Sequence, residues 1–221
     1  MKLTIFGGTG RIGGRLLEQA VAAGHDVTAV VRNPSKLTAD VRKLAADVSD
    51  PDLVTLVSAI EGADAVLSAL GPRKKAETGV SSAGARAIAE AMWATGVRRL
   101  VVVSGVGVTT IPTPGRPNPP RREPGAGFMM RYLTTPFAKV VIGAQMADVA
   151  LMEDFLRGTD LDWTVMRIPL VVDKPPTGVY RTAYGRNLRG AFRIGRADAA
   201  HLMLKLIGQP EAIRTAVTVA Y

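Results

Sequence analysis

Close to the start of the chain, Gly7-Gly8-Thr9-Gly10-Arg11-Ile12-Gly13-Gly14 stands between an apolar run, Leu3-Thr4-Ile5-Phe6, and a helical pattern from Arg11 to Ala23. Few folds can use such a junction. Gly7 permits a tight turn, Gly10 lets the backbone approach a pyrophosphate, and Gly13 allows a helix to lie close on a strand. The helix start then offers free N–H donors and a partial positive charge to phosphate groups. A glycine triplet alone is weak evidence. The strand before it and the helix after it make this one a nucleotide loop, to which Thr9, Arg11 and Ile12 also belong.

The next hundred residues keep the strand–helix alternation. Val27–Val31 and Val41–Ala46 predict strands, Pro51–Gly62 a helix with proline at its first position, and Ala65–Leu70 another strand. Val80–Thr95 predicts a long helix closed by Gly96, and Val97–Val103 a fifth strand. The strand runs are continuously apolar, as strands buried on both faces are. The expected fold class is therefore α/β: a Rossmann-type, doubly wound parallel sheet with helices on both faces, one domain over residues 1–221.

The alternation then breaks. Residues 105–127 predict a long loop, with six prolines, three glycines and three arginines from Thr110 to Gly127. Helical patterning resumes at Phe128, breaks near Pro136 and runs on to Leu156. Asp162–Ile168 predicts a strand, Asp198–Ile207 a helix and Ala216–Ala220 a last strand. Between them, 169–197 is a basic segment expected on the substrate side. Lys174, Arg181, Arg186, Arg189, Arg193 and Arg196 follow one another there without an acid, within a net charge of +9.

That charge attracts anions of many kinds, and an anionic substrate, an acidic surface and a merely solvated basic face all stay open. Nucleic acid is disfavoured, because no base-reading motif accompanies the charge. With no cysteine and two distant histidines, disulfides, thiol nucleophiles and a zinc site are not expected. His25 and His201 are read as structural, Trp93 and Trp163 as core or cover residues, and Glu153-Asp154 as acids on an exposed helix face. The longest apolar stretch, Phe128–Met152, is interrupted by Arg131, Pro136, Lys139 and Asp148, so no membrane span is expected. A cytoplasmic location is the default expectation.

Strand ends supply the remaining candidates. An NAD site places an acid after its second strand, whereas here Arg32 stands there with Lys36 one turn on, a pair of donors suited to an adenosine 2′-phosphate. The expected cofactor is thus NADP(H). Asp47 and Val48 suit the adenine edge, and Ala69, Leu70 and Gly71 the nicotinamide-side ribose. Ser104 ends the fifth strand where doubly wound folds hold their substrates, and is the candidate catalytic residue.

IFGGTGRIGG (5–14), VTAVVRNPSK (27–36), AADVSD (45–50), ADAVLSALGPR (63–73), GARAIAEAMWATGVRRLVVVSG (84–105), DFLRGTDLDWTVMR (154–167), PTGVYR (176–181) and GRADAAHLML (195–204) follow one another along the chain. In these stretches the chain resembles the atypical short-chain dehydrogenase/reductase group, the NAD(P)H-binding proteins that include biliverdin-IXβ reductase/flavin reductase and the NmrA-like proteins. The resemblance implies an NADPH-binding reductase fold, a monomer or weak dimer. Gly7, Gly10, Gly13, Arg32, Lys36, Asp47 and Ser104 match its cofactor-side and active-site positions.

Two departures bear on chemistry. Most short-chain reductases use a Tyr-x-x-x-Lys pair as the acid; counting back from Glu153, those positions are Gln145 and Val149. The histidine of biliverdin-type relatives is replaced by Pro169-Leu170. Such a chain suits acceptors that need hydride and little acid help, so the expected function is an NADPH-dependent oxidoreductase acting on a planar or small anionic acceptor gripped by the basic segment. An NmrA-like NADP(H)-sensing regulator without catalysis, and a biosynthetic isomerase or cyclase on the same fold, remain alternatives.

Overall fold

Runs of buried β-branched and leucine side chains become parallel strands, and amphipathic stretches between them become the helices that cover both faces. The computed structural model describes residues 1–72, 77–123, 125 and 135–221. In chain order the elements are β1 (Lys2–Phe6), α1 (Arg11–Ala22), β2 (Asp26–Val31), β3 (Arg42–Ala45), α2 (Leu53–Ile60), β4 (Ala65–Ser68), α3 (Val80–Thr95) and β5 (Arg99–Gly105). There follow α4 (Thr135–Arg157), β6 (Asp162–Ile168), β7 (Leu170–Val172), β8 (Arg181–Tyr184), β9 (Arg193–Gly195), α5 (Arg196–Ile207) and β10 (Thr215–Ala220).

Among the described residues, eight strands form one sheet in the order β3-β2-β1-β4-β5-β6-β10-β8. All neighbours are parallel except β8, which runs antiparallel to β10 at the edge. β7 and β9 pair separately. From β1 the chain first works outward to β3, then crosses back to β4, so a crevice opens beyond the carboxyl ends of β1 and β4. The sheet is the doubly wound Rossmann-type α/β arrangement expected of the sequence.

Each face has its own core. Leu16 and Leu17 of α1 and Leu202 and Leu206 of α5 pack on Ile5, Val101 and Val217. On the other face, Leu56, Ile60, Ile88, Met92 and Leu156 of α2, α3 and α4 pack on Phe6, Val66, Leu100 and Val165. Burial of each such side chain contributes about 1.5–3 kcal/mol. That second layer stops at α4. Beyond it, the β6–β10–β8 end of the sheet carries Trp163, Arg167, Ala216 and Thr218, and residues 109–123 of the proline-rich loop take the place of a helix.

Several sequence expectations move. α2 starts after Asp52, whose carboxylate accepts from Val54 N at 3.1 Å, so Pro51 lies outside the helix. The expected helix start at Phe128 falls outside the described residues. Within α4 the break comes at Ile142 (φ −127°, ψ 26°) and not at Pro136, which a first turn accommodates. The segment 169–197 contains β7, β8 and β9, of three or four residues each, too short to show a periodicity. Arg99 is 9% exposed; its guanidinium donates to the carbonyls of Ile207 (3.0 Å), Asp162 (2.6 Å) and Leu206, closing the end of α5 onto β5 and β6. Burial brings its pKa down to about 10.

PTGVYR and GRADAAHLML meet in space. Asp198, in the first turn of α5, has no exposed surface and accepts from Thr177 N (2.9 Å), Gly178 N (2.9 Å), Thr177 Oγ1 (2.8 Å) and the Tyr221 hydroxyl (2.7 Å). Tyr180 Oη lies 2.8 Å from His201 Nδ1, and burial, with Asp198 nearby, pushes the phenol up to about 12. Burial alone raises the Asp198 carboxyl, but the bonds from Tyr221, Gly178 and Thr177 outweigh it and hold the group below its ordinary value. Asp198→Ala is expected to cost about 3 kcal/mol, because it leaves buried donors unpaired. A depressed carboxyl contributes stability that is present above its unfolded pKa and lost as pH falls through the folded one. Urea unfolding on the acid side should therefore show a steeper loss for wild type than for Asp198→Asn. Parallel curves would mean that Asp198 holds nothing.

Candidate functional site

The glycine loop owes its shape to backbone packed on backbone. Gly7 has φ +79°, and a Cβ there would stand 2.9 Å from the Ala69 carbonyl oxygen. A Cβ on Gly10 would stand 3.0 Å from the Gly7 carbonyl, and one on Gly13 would drive into that same carbonyl group, 2.7 Å from its carbon. Gly10 is the N-cap of α1 and offers no side-chain acceptor, and the first turn carries no acid. The opening N–H groups of α1 thus keep their donors for an external anion. This cradle fits a pyrophosphate.

The loop forms one wall of a cleft. Gly7, Thr9 and Gly10 face Arg32 from the end of β2, Asp47 and Val48 after β3, and Ala69, Leu70 and Gly71 after β4. Nine of the candidate cofactor residues come together here. Gly84 of α3 makes room beneath, since a Cβ on it would stand 2.6 Å from Leu70 Cδ1. The other four lie off the wall. Gly13 packs behind the loop, Ile12 is buried in the α1 core, Arg11 is exposed on the first turn, and Lys36 is exposed at the end of the short Pro34–Lys36 turn. Half-exposed Arg32 forms an ion pair of 2.9 Å with Glu77, which also lines the cleft and gave no signal in the sequence.

At Leu70 and Gly71 the cleft meets a second cavity of about 620 Å³ beyond the ends of β4, β5 and β6. Its walls are mostly apolar: Val103, Val106, Met146, Ile168, Leu170 and Phe192 among them. None of its described lining residues is charged. The polar groups are Ser81, Ser104 and Gln145. Ser81 is 2% exposed, and its hydroxyl has no partner among the described residues. Gln145 and Val149 occupy the wall of this cavity together with Ser104.

Ser104 is tied from behind. Its hydroxyl donates to Glu153 Oε1 at 2.6 Å, while Arg167 donates to both Glu153 oxygens (2.9 and 2.5 Å) and Arg157 to Oε2 (2.8 Å). Glu153 is 2% exposed, which corrects the expectation of an acid on an open helix face. With its proton committed to the carboxylate, Ser104 offers the cavity lone pairs only; it can accept a hydrogen bond there but not donate one. Burial lowers the Arg167 guanidinium, but its bonds to Glu153 outweigh that and hold it above its ordinary value.

The basic segment does not grip this cavity. Arg181 donates to the carbonyls of Arg189 (3.1 Å) and Tyr221 (2.6 Å), Arg196 pairs with Asp173 at 2.9 Å, and Arg186 lines a different cavity. The reason is topological: β8 runs antiparallel outside β10, at the edge of the sheet, with β6 and β10 between it and β5. Trp163 is buried as expected, whereas Trp93 is half exposed and donates to Asp160 at 2.9 Å. Among the described residues no helix is long and apolar enough to cross a membrane, and no cluster of side chains could hold a metal ion.

The chain is 28% identical to YwnB of Bacillus subtilis (strain 168) over 220 residues, covering 96% of this chain and 94% of that protein. A solved structure from Burkholderia pseudomallei is 32% identical, with full coverage of both chains and a TM-score of 0.76. ChuY from Escherichia coli O157:H7, an anaerobillin reductase, shares the fold at 21% identity, with a TM-score of 0.76 over 100% of this chain and 97% of its own. The NAD(P)H-binding family model matches residues 7–210, from the first glycine of the loop to the turn before β10. This protein belongs to the NAD(P)H-binding family.

Proposed function

We propose that this protein is an NADPH-dependent reductase of planar, largely apolar acceptors such as quinones, flavin rings or bilins. The observation that carries the reading is the junction at Leu70 and Gly71, where a glycine-loop cleft opens into a cavity of about 620 Å³ with no charge among its described lining residues. Anaerobillin, the substrate class in the name of ChuY, fits the same description of a conjugated acceptor. NADPH lying in the cleft would supply the hydride, its phosphates on the α1 N-terminus and its 2′-phosphate on Arg32 in place of Glu77. The chain's own part is positioning. Val103, Met146 and Phe192 hold a flat ring and exclude water, Ser104 accepts a hydrogen bond, and Ser81 and Gln145 can donate to a carbonyl. With no ionisable group among the described lining residues, the proton would come from solvent.

Steady-state oxidation of NADPH with a neutral naphthoquinone, flavin mononucleotide and biliverdin tests this directly. Turnover is expected with at least one of them. Arg186→Gln/Arg189→Gln should leave every Michaelis constant unchanged, because neither arginine lines the cavity. Arg32→Ala should weaken NADPH binding about 10- to 100-fold, the scale of a lost charged hydrogen bond, and barely affect NADH. Equal losses for the two cofactors would remove the 2′-phosphate assignment. NADPH binding with no turnover on any acceptor would favour a cofactor-sensing protein instead.

A further inference from the structure

Under the proline-rich loop lies a third cavity, of about 490 Å³, on the side of Glu153 away from Ser104. Arg116 and Glu123 come from the loop, Arg157 from α4, Trp163 and Arg167 from β6, Arg186 from the turn after β8, and Arg214 from the approach to β10. Five guanidiniums thus face one carboxylate on the wall, with Glu153 and Asp154 behind it. Glu123 is itself occupied, accepting from Thr109 Oγ1 (2.7 Å) and Asn187 Nδ2 (2.7 Å). Arg214 holds the carbonyl of Asp160 at 2.7 Å and is the one non-glycine residue with positive φ (+53°) among those described. Such backbone strain persists where the surroundings enforce it.

Two donors of this wall are buried and lack a partner among the described residues: the indole N–H of Trp163, a residue 8% exposed, and Nε–H of Arg116. Neither Arg116 nor Arg186 has an ion pair among the described residues. Burial holds Arg157 below its ordinary value, with the guanidiniums of Arg116 and Arg167 adding to that against Glu153 and Asp154. Orphaned donors and crowded like charges are costly unless an acceptor of opposite charge joins them. Guanidinium forks match oxyanions in particular.

We propose that this cavity is a second binding site, for a small, multiply charged oxyanion such as a phosphate ester or a polycarboxylate. It needs no nucleotide, and it stands independently of the reductase reading. Arg157 and Arg167 belong both to it and to the ion pair that holds Glu153 against Ser104, so an occupant would be sensed at the acceptor cavity.

The test uses protein saturated with NADP⁺, which occupies the glycine loop and removes it as a rival phosphate site. Pyrophosphate and citrate are titrated separately by calorimetry, one arm for each source of oxyanion. In parallel, Trp163 emission is followed in a Trp93→Phe background. Binding of either anion, with a change in Trp163 emission and an affinity that falls with salt, is expected. Arg116→Gln/Arg186→Gln should weaken it about tenfold or more while leaving NADP⁺ affinity intact. Absence of binding by both anions at millimolar concentration, or binding unaltered in the double variant, would overturn the assignment.

Discussion

Gly13→Ala is expected to abolish NADP(H) binding and to lower stability by about 3 kcal/mol, whereas Gly14→Ala one residue on leaves both close to wild type. A methyl group on Gly13 enters the Gly7 carbonyl group, and neither partner is a side chain that can swing away. Relief requires α1 to lift off the loop, which dismantles the pyrophosphate cradle and opens the packing of Ile12 and Leu16 together. At Gly14 the same methyl group would lie 3.6 Å from the Gly8 carbonyl oxygen, an ordinary contact. Urea unfolding and cofactor titration of the pair give the comparison. Equal behaviour of the two variants would show that the tight approach of helix to loop does not define the site.

The largest loss of stability is expected from Glu153→Gln, about 3–5 kcal/mol, the cost of leaving a buried guanidinium without its counter-charge. Arg167 is 9% exposed and donates to both oxygens of Glu153. Pairing Glu153→Gln with Arg167→Met removes the orphaned charge, and the double variant should recover most of the loss. That recovery separates a charge effect from a simple loss of packing. It also tests the acceptor cavity: a neutral amide holds the Ser104 proton less tightly than the carboxylate does, so the Michaelis constant for a quinone should shift in the double variant even though its stability returns. Additive losses across the cycle would contradict the buried pair.

Much of this molecule is legible in its sequence where glycine punctuates it. α3 spans Val80–Thr95 as expected because Gly79 and Gly96 bound it with positive φ, and β6 spans Asp162–Ile168 as expected because its centre, Trp163 to Met166, is a buried run and Pro169 follows its last residue. β7 and β9, three residues each, have no pattern of their own; each exists because the other lies alongside. The cleft was readable because backbone geometry at glycines and strand ends dictates it. Glu153 was misread because its partner, Arg167, lies fourteen positions further on in another element. A signal was present nonetheless: a single arginine inside the buried strand Trp163-Thr164-Val165-Met166-Arg167 demands a buried counter-charge. Arg32 is legible as a donor for a 2′-phosphate, but nothing in the sequence draws Glu77 to it.

The pairing of β5 with β6 has a consequence for synthesis of the chain. All seven residues of β5 stand in register with β6, yet residues 106–161 separate the two strands. While the ribosome makes that stretch, a buried-type strand such as Leu100-Val101-Val102 sits at an open edge for roughly 3–11 s at ordinary elongation rates. An unpaired apolar edge invites pairing with other chains. Nascent molecules of this protein therefore depend on shelter from their neighbours, and conditions that slow translation through the proline-rich stretch should lower the yield of folded protein more than its final stability suggests.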